Sequence, residues 1–388
     1  MNSAEFLKPV PSGLLTAAEH TSPRSWFRGM LVHADELPDA DACKIWLVGV
    51  KDDRGTGYMN GAAAAPDAIR AELYKLINYH EHLSVADLGN IEAGDSINDT
   101  HYALRELTRE ALEKKKILLV LGGSSDLAYA QYRAYEKHTR TLRMVSIDSR
   151  IELSAPPHQE EEVPYLGNII LHEPNYLFNI CHLGYQSYFC EEESVATFNR
   201  MNFDALRLGN LRKNMEEAEP LFRDADMGVF NLSAIRLSDA PAQENGSPNG
   251  IAGDEACQLA RYAGISNELS SFGIYGYIPH LDQRAHTAKL LAQMVWYFGD
   301  GVHSRKYDYP AAESNDFQTY RITFNNSNHE VVFFKSLKSD RWWMEVPYPV
   351  EKSSEKGSYL VPCSYKDYET ACNDEVPDRW LKTYYKLI

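Results

Sequence analysis

The sequence predicts an α/β fold: a doubly wound, mostly parallel sheet with helices on both faces and a small α+β appendage at the C-terminus. Three observations point there. Continuous apolar runs ending in Gly or a charge recur along residues 43 to 300, segments of helical period lie between them, and the composition changes after Gly299-Asp300-Gly301.

In chain order, residues 1 to 40 carry Pro9, Pro11, Pro23 and Pro38 with no sustained period, and read as an extended N-terminal arm. Strands are expected at Lys44–Val50, Lys116–Gly122, Leu142–Asp148, Tyr176–His182, Asp226–Leu232 and, shorter, Phe272–Gly276. Helices are expected at Pro66–Leu76, Asp99–Glu113, Asp126–His138, Asp204–Ala218, Asp254–Tyr262 and Gln283–Phe298. The first has Pro near its start, and the last places Leu291, Val295 and Phe298 on one face. Beyond 305, residues 318–325 and 330–336 alternate like antiparallel strands about Asn325-Asn326-Ser327-Asn328. The Trp-rich run 341–349, a polar loop at 351–358 and an amphipathic finish follow. The organisation read from this is an arm (1–40), an α/β domain (41–305) and an extension (306–388) too small to stand alone, packed on the core.

Composition narrows the function. The chain has 388 residues, 44% of them hydrophobic, and 39 basic against 55 acidic side chains give a net charge of −16. That hydrophobic content is too high for disorder, and the acidic balance with only short basic runs such as Lys114-Lys115-Lys116 argues against a nucleic-acid partner. No run approaches the roughly 18 apolar residues of a membrane span, and Met1–Leu15 lacks the pattern of a signal peptide. The six cysteines are scattered without a Cys-x-x-Cys pair and read as reduced thiols of a cytoplasmic protein.

In an open parallel sheet, ligands bind where the strands end, so chemistry is sought just after each apolar run. These places read Gly122-Gly-Ser-Ser-Asp126, Asp148-Ser-Arg-Ile-Glu152, Asn231-Leu-Ser-Ala-Ile-Arg-Leu-Ser-Asp-Ala-Pro241 and Tyr275-Gly-Tyr-Ile-Pro279. Together with Gly61-Ala-Ala-Ala-Ala-Pro-Asp-Ala-Ile-Arg70 and an Asp87-Leu-Gly89 turn, they resemble the arginase (ureohydrolase) superfamily, most closely its formimidoylglutamase branch.

The resemblance implies the arginase-like fold and, in active members, two manganese ions bridged by carboxylates that generate an attacking hydroxide. Matched position by position, the ligands do not carry over. Ser125 stands for the first His; Asp148 is kept; Arg150 stands for a His and Glu152 for an Asp. Asn231 and Ser233 stand for two Asp, and Gly276 for the late Glu. A guanidinium opposes another unit charge by about 4 kcal/mol at 4 Å in an effective dielectric of 20, and a dication by twice that. Arg150 is therefore expected to pair with Asp148 or Glu152 in place of metal.

Other groups have plainer roles. Asp126 is expected to cap the helix after it, and Asp239 to brace a turn, although both, with His158, could line the pocket. His172, His182 and His280 fall near strand ends without ligand spacing. In the tail, Arg341-Trp342 and Arg379-Trp380 suggest guanidinium–ring stacking over the core.

The expectation is a non-catalytic ureohydrolase-fold protein that binds a small polar or anionic ligand or a protein partner, with no cofactor. The alternative is a metal-dependent amidinohydrolase or formimidoylglutamase using manganese, with Asp148 and Glu152 as remaining ligands. Family likeness also implies a homo-oligomer.

Overall fold

A computed structural model describes residues 3–55, 59–79, 83–137, 141–154, 164–310, 315–324, 330–349 and 356–388. Its larger sheet is built from β1 (Leu7–Lys8), β2 (Met30–Val32), β3 (Ile45–Lys51), β4 (Val85–Glu92), β5 (Ile117–Leu121), β6 (Leu142–Ile147), β7 (Leu177–Tyr185), β8 (Asp204–Arg207), β9 (Met227–Asn231) and β10 (Ser271–Tyr275). Their spatial order is β1-β4-β3-β5-β10-β9-β6-β7-β8, with β2 also on β4. All pairs are parallel except β1 with β4. Runs such as Ile45-Trp-Leu-Val-Gly-Val50 are buried throughout because both faces are covered.

Helices α1 (Ser12–Glu19), α2 (Ala65–Leu73), α3 (Ile97–Glu113), α4 (Leu127–Arg133), α5 (Tyr165–Ile170), α6 (Glu192–Arg200), α7 (Leu208–Lys213), α8 (Glu219–Arg223), α9 (Gly253–Ile265) and α10 (His286–His303) surround this sheet. One core face packs Ile69, Leu259, Leu291 and Phe298 against Leu47, Leu119 and Ile274. The opposite face packs Leu104, Leu107, Leu127 and Leu166 against Val48, Val120 and Met144. Helix α3 opens with a capping box, in which the Ser96 amide donates to the Asp99 carboxylate at 2.8 Å.

Under the first face lies a buried ion pair. Arg70 on α2 is fully buried. Its Nε and Nη2 each donate to Asp87 at 2.8 Å, Nη1 to Asn90 Oδ1 at 2.6 Å, and Nη2 also to the Gly89 carbonyl at 2.8 Å. The Tyr74 hydroxyl adds a bond to Asp87 at 2.7 Å. Gly89 takes φ +82° inside β4, and the pairing of β3 with β4 shifts register there.

Several expectations need correction. The N-terminal stretch adds strands and a helix to the sheet rather than lying over it as an extended arm. Asp87-Leu88-Gly89 is the middle of a strand, because a buried partner for Arg70 holds it extended. The segment expected as one helix from Asp204 begins as edge strand β8 and breaks into α7 and α8, with Pro220 starting the second.

The extension forms a separate antiparallel sheet, β11 (Phe317–Thr323), β12 (Glu330–Ser336), β13 (Trp342–Pro349) and β14 (Lys356–Cys363), in that order. It is followed by α11 (Tyr365–Cys372) and α12 (Asp378–Leu387). It has its own core of Val331, Phe333, Met344, Val346, Cys363 and Trp380, while the Asn325–Asn328 turn lies outside the described residues. It meets the larger unit through both polar groups and rings. Arg223 on α8 donates to the Trp342 carbonyl at 2.6 Å and lies over the Trp343 ring, 4.6 Å from its centroid. Arg341 pairs with Glu219 at 3.1 Å and Lys382 with Asp204 at 2.9 Å. The guanidinium on Trp343 thus comes from Arg223 of the larger unit, while Arg341 is taken up by Glu219 and Asp308.

Candidate functional site

At the carboxyl ends of β6, β9 and β10, neighbours in the sheet, lies a cavity of about 20 Å³. Its inner wall is Met59, Asp148, Asn231, Ser233, Gln243 and Gly276, and its rim is Arg150, Glu152, Glu244 and Asn245. Six of the positions expected from the strand ends are thus brought together. Ser125 is buried after the Gly122-Gly123 turn but does not line the cavity, and His158 lies outside the described residues.

Asp148, 7% exposed, follows β6. Its Oδ1 accepts from the Ser233 hydroxyl in a short bond and from the Arg150 amide at 3.2 Å. Burial pushes its carboxyl above the usual range, and the Ser233 hydroxyl and the amides of Arg150 and Ser149 only partly oppose that. Asn231 ends β9 and accepts from the Ser233 amide at 3.3 Å, so both polar groups are tied to the strand-end turn.

Of the two partners expected for Arg150, the structure gives it an ion pair with Glu152 and not with Asp148. Arg150 Nε lies 3.8 Å from Glu152, beyond hydrogen-bond range, and the guanidinium covers the Phe189 ring, 4.6 Å from its centroid. The partner of the buried aspartate is a hydroxyl, and the arginine is a half-exposed rim group, because Arg150 points away from the strand end that holds Asp148.

Gly276 shows how far the wall has closed. It holds φ +84°, and a Cβ there would stand 2.9 Å from Asn231 Oδ1 and 3.4 Å from the Met59 methyl. A glutamate at this position would meet both strain and a filled wall.

The remaining residues have structural work. Asp126 does not cap α4; its carboxylate accepts from Ser124 and meets His101 Nε2 at 2.5 Å, because its backbone is already helical. Asp239 accepts from Arg236 Nε at 2.9 Å, Ser238 at 2.8 Å and the Gly253 amide at 2.7 Å, bracing the start of α9. Burial works against its charge, but those donors, Arg236 foremost, hold the carboxyl down to about 2. His172 bonds the Tyr129 hydroxyl at 2.9 Å. His182 is fully buried against Phe198, and burial pulls it down to about 4. His280 stands beside Gly61. None of these three lines the cavity.

Gln243, Glu244, Asn245 and Met59 were not anticipated. The signal for the first three is a polar run directly after the Pro241 turn, which the bridge between Ile235 and Ile251 folds back over the strand ends. Gln243 is anchored by donating to the carbonyls of Ile235 at 2.9 Å and Ala240 at 2.8 Å.

Two manganese ions call for about six nitrogen and oxygen ligands, several of them carboxylates. This cavity offers one buried carboxylate already bonded to a hydroxyl, carboxylates only at its rim, neutral Asn231 and Ser233, and a glycine against a filled wall. Among the described residues no three His, Cys, Asp or Glu side chains converge as metal ligands do. The donor set among the described residues does not fit a dimanganese pair.

One expected result follows from Asp148. A carboxyl whose folded pKa is raised contributes stability at acid pH that is lost as pH rises through the folded value. Asp148→Asn, which keeps the acceptor for Ser233, is expected to match or exceed the wild type at pH 8 by up to about 1 kcal/mol, the difference vanishing toward pH 4. Urea midpoints across that range would show it, and a loss at pH 8 would contradict it.

A model of the arginase family matches residues 43–299, and the chain belongs to that family. A formimidoylglutamase of Staphylococcus haemolyticus is 22% identical over 270 residues, covering 67% of this chain and 86% of the relative. Among solved structures, Trypanosoma cruzi formiminoglutamase with manganese superposes with a TM-score of 0.63 at 18% identity, covering 68% of this chain and 95% of that one. Bacillus subtilis formimidoylglutamase gives 0.61 at 18%, covering 68% and 88%. Within the family the chain falls in the formimidoylglutamase-like branch, and its extension lies beyond the matched residues. Among the described residues no helix is long and apolar enough to cross a membrane.

Proposed function

We propose that this arginase-family protein acts through ligand or protein binding, its strand-end positions no longer forming a catalytic dimanganese centre. The observation that carries this reading is the bond from the Ser233 hydroxyl to Asp148. The one kept ligand is satisfied by a side chain standing where the family resemblance implies another carboxylate, and Met59 and Asn231 fill the space beside Gly276. With Glu152 and Glu244 opposing Arg150 at the rim, the lining favours a neutral polar ligand over the anionic one that Arg150 alone suggests. Residues 41–305 and 306–388 are taken as family domain and added binding element, with residues 1–40 joined to the former through β1 and β2.

A second reading is favoured by the comparisons themselves. The relatives carry the name formimidoylglutamase, so a metal-dependent hydrolase acting on a formimidoyl or guanidino C–N bond is the alternative. Purified protein with added MnCl2 is assayed for ammonia or urea release from formimidoylglutamate, arginine, agmatine and guanidino acids. No turnover above buffer is expected. Turnover abolished by Asp148→Ala would establish the hydrolase instead.

A further inference from the structure

Strand β6, which ends at this pocket, begins at a second cavity, at the opposite end of the sheet where the extension covers it. It encloses about 60 Å³ between Arg143 of β6, Phe178 and Asn179 of β7, Tyr359 of β14, and Arg379, Lys382 and Lys386 of α12. A water needs roughly 10–15 Å³ by this measure, so the space suits one small oxyanion and excludes a nucleotide.

The wall carries four cations against the two carboxylates Asp204 and Asp224. Two of the cations are matched directly. Lys382, 38% exposed at the mouth, pairs with Asp204 at 2.9 Å, and Arg379 pairs with Glu217 at 3.2 Å and Asp367 at 3.6 Å. The other two make their direct contacts with uncharged groups, with Asp224 acting on Arg143 and Asp204 on Lys386 only through space. Arg143 lies between rings, 4.9 Å from the centroid of Phe178 and 5.1 Å from that of Tyr359, and Lys386 donates to Asn179 Oδ1 at 2.6 Å.

Two donors on this wall, Arg143 Nε and Arg379 Nη1, are buried with no hydrogen-bond acceptor. Buried guanidinium donors are rarely left so, and what they lack is an oxygen acceptor. Asp224 does not supply it. It accepts from the Tyr359 hydroxyl at 3.1 Å, and burial pushes its carboxyl up to about 6. Burial also pulls the Lys386 ammonium below its usual range, with Lys382 and Arg143 adding to that and Asp204 only partly opposing it.

We propose that this cavity binds a small oxyanion, phosphate or carboxylate, that bridges Arg143 of the family domain to Arg379 and Lys386 of the extension. The site depends on residues from both units, so it exists only because the extension is present, and it stands independently of what the strand-end pocket does. An anion there ties α12 to the ends of β6 and β7.

The test uses the full chain with inorganic phosphate, sodium succinate and NaCl at matched ionic strength. Phosphate, succinate or both at about 10 mM are expected to raise the thermal midpoint by about 2 °C or more over NaCl, and which of them does so identifies the oxyanion. Line broadening in 31P spectra of phosphate, or succinate heats by calorimetry, gives affinity directly. Arg143→Gln and Lys386→Met are each expected to weaken it about tenfold, while Lys366→Met on exposed α11 leaves it unchanged. If one variant fails to fold, the other decides. Equal midpoints in all three salts, or affinity unchanged in the folded variants, would overturn the proposal.

Discussion

Replacing Arg70 with methionine is expected to lower the free energy of unfolding by about 3–5 kcal/mol, because it leaves the Asp87 carboxylate buried without its counter-ion. Both side chains are fully buried. The guanidinium satisfies both Asp87 oxygens, Asn90 and the Gly89 carbonyl, and only Tyr74 and the Gly89 amide remain to Asp87 once it is gone. The cost is mainly that of the stranded charge, so Arg70→Met with Asp87→Leu is expected to recover part of it. Urea denaturation of the three variants measures this. A loss below about 1 kcal/mol for Arg70→Met would show that the pair does not hold the sheet in the way argued.

Ser233→Asp should have the second largest effect and bears on function. It sets a second carboxylate against Asp148, at a distance now spanned by one hydrogen bond. Two unit charges at about 4 Å in an effective dielectric of 20 repel by roughly 4 kcal/mol, which is the destabilisation expected near pH 8. The shared site raises the folded pKa of the pair, so the variant keeps its stability at acid pH and loses it as pH rises through that value. A divalent ion would relieve the repulsion. Manganese chloride is therefore expected to restore the thermal midpoint of the variant and to leave the wild type unmoved. A wild-type midpoint raised as far by manganese as that of the variant would favour the hydrolase reading.

The sheet was legible where apolar runs are continuous. Val48, Val120 and Val229 sit in buried parallel strands whose apolar runs are continuous in the sequence. Strand β4 was not legible, because Asp87, Gly89 and Asn90 interrupt it with groups that ordinarily mark a turn. Their partner Arg70 is seventeen to twenty positions away, and sequence spacing does not announce it. Likewise β8 is too short to outweigh the helical pattern around it. At the site, the strand ends identified Asp148, Asn231, Ser233 and Gly276, since topology alone brings them together. The bond between Ser233 and Asp148, the turn of Arg150 toward Phe189, and the arrival of Gln243 and Met59 depend on side-chain directions and a returning loop, which carry no period.

The order of the larger sheet has a consequence for the path by which it forms. β10 lies between β5 and β9 and registers Ser271 beside both Leu118 and Met227. Its neighbour β5 is about 150 positions upstream, so that pairing closes a long loop and comes at a high entropic cost. Until β10 docks, β1 to β5 on one side and β6 to β9 on the other are two partial sheets with open inner edges. β10 acts as the keystone, and the strand-end pocket takes shape only when it is set, since Gly276 and Asn231 stand on strands that meet at that last seam.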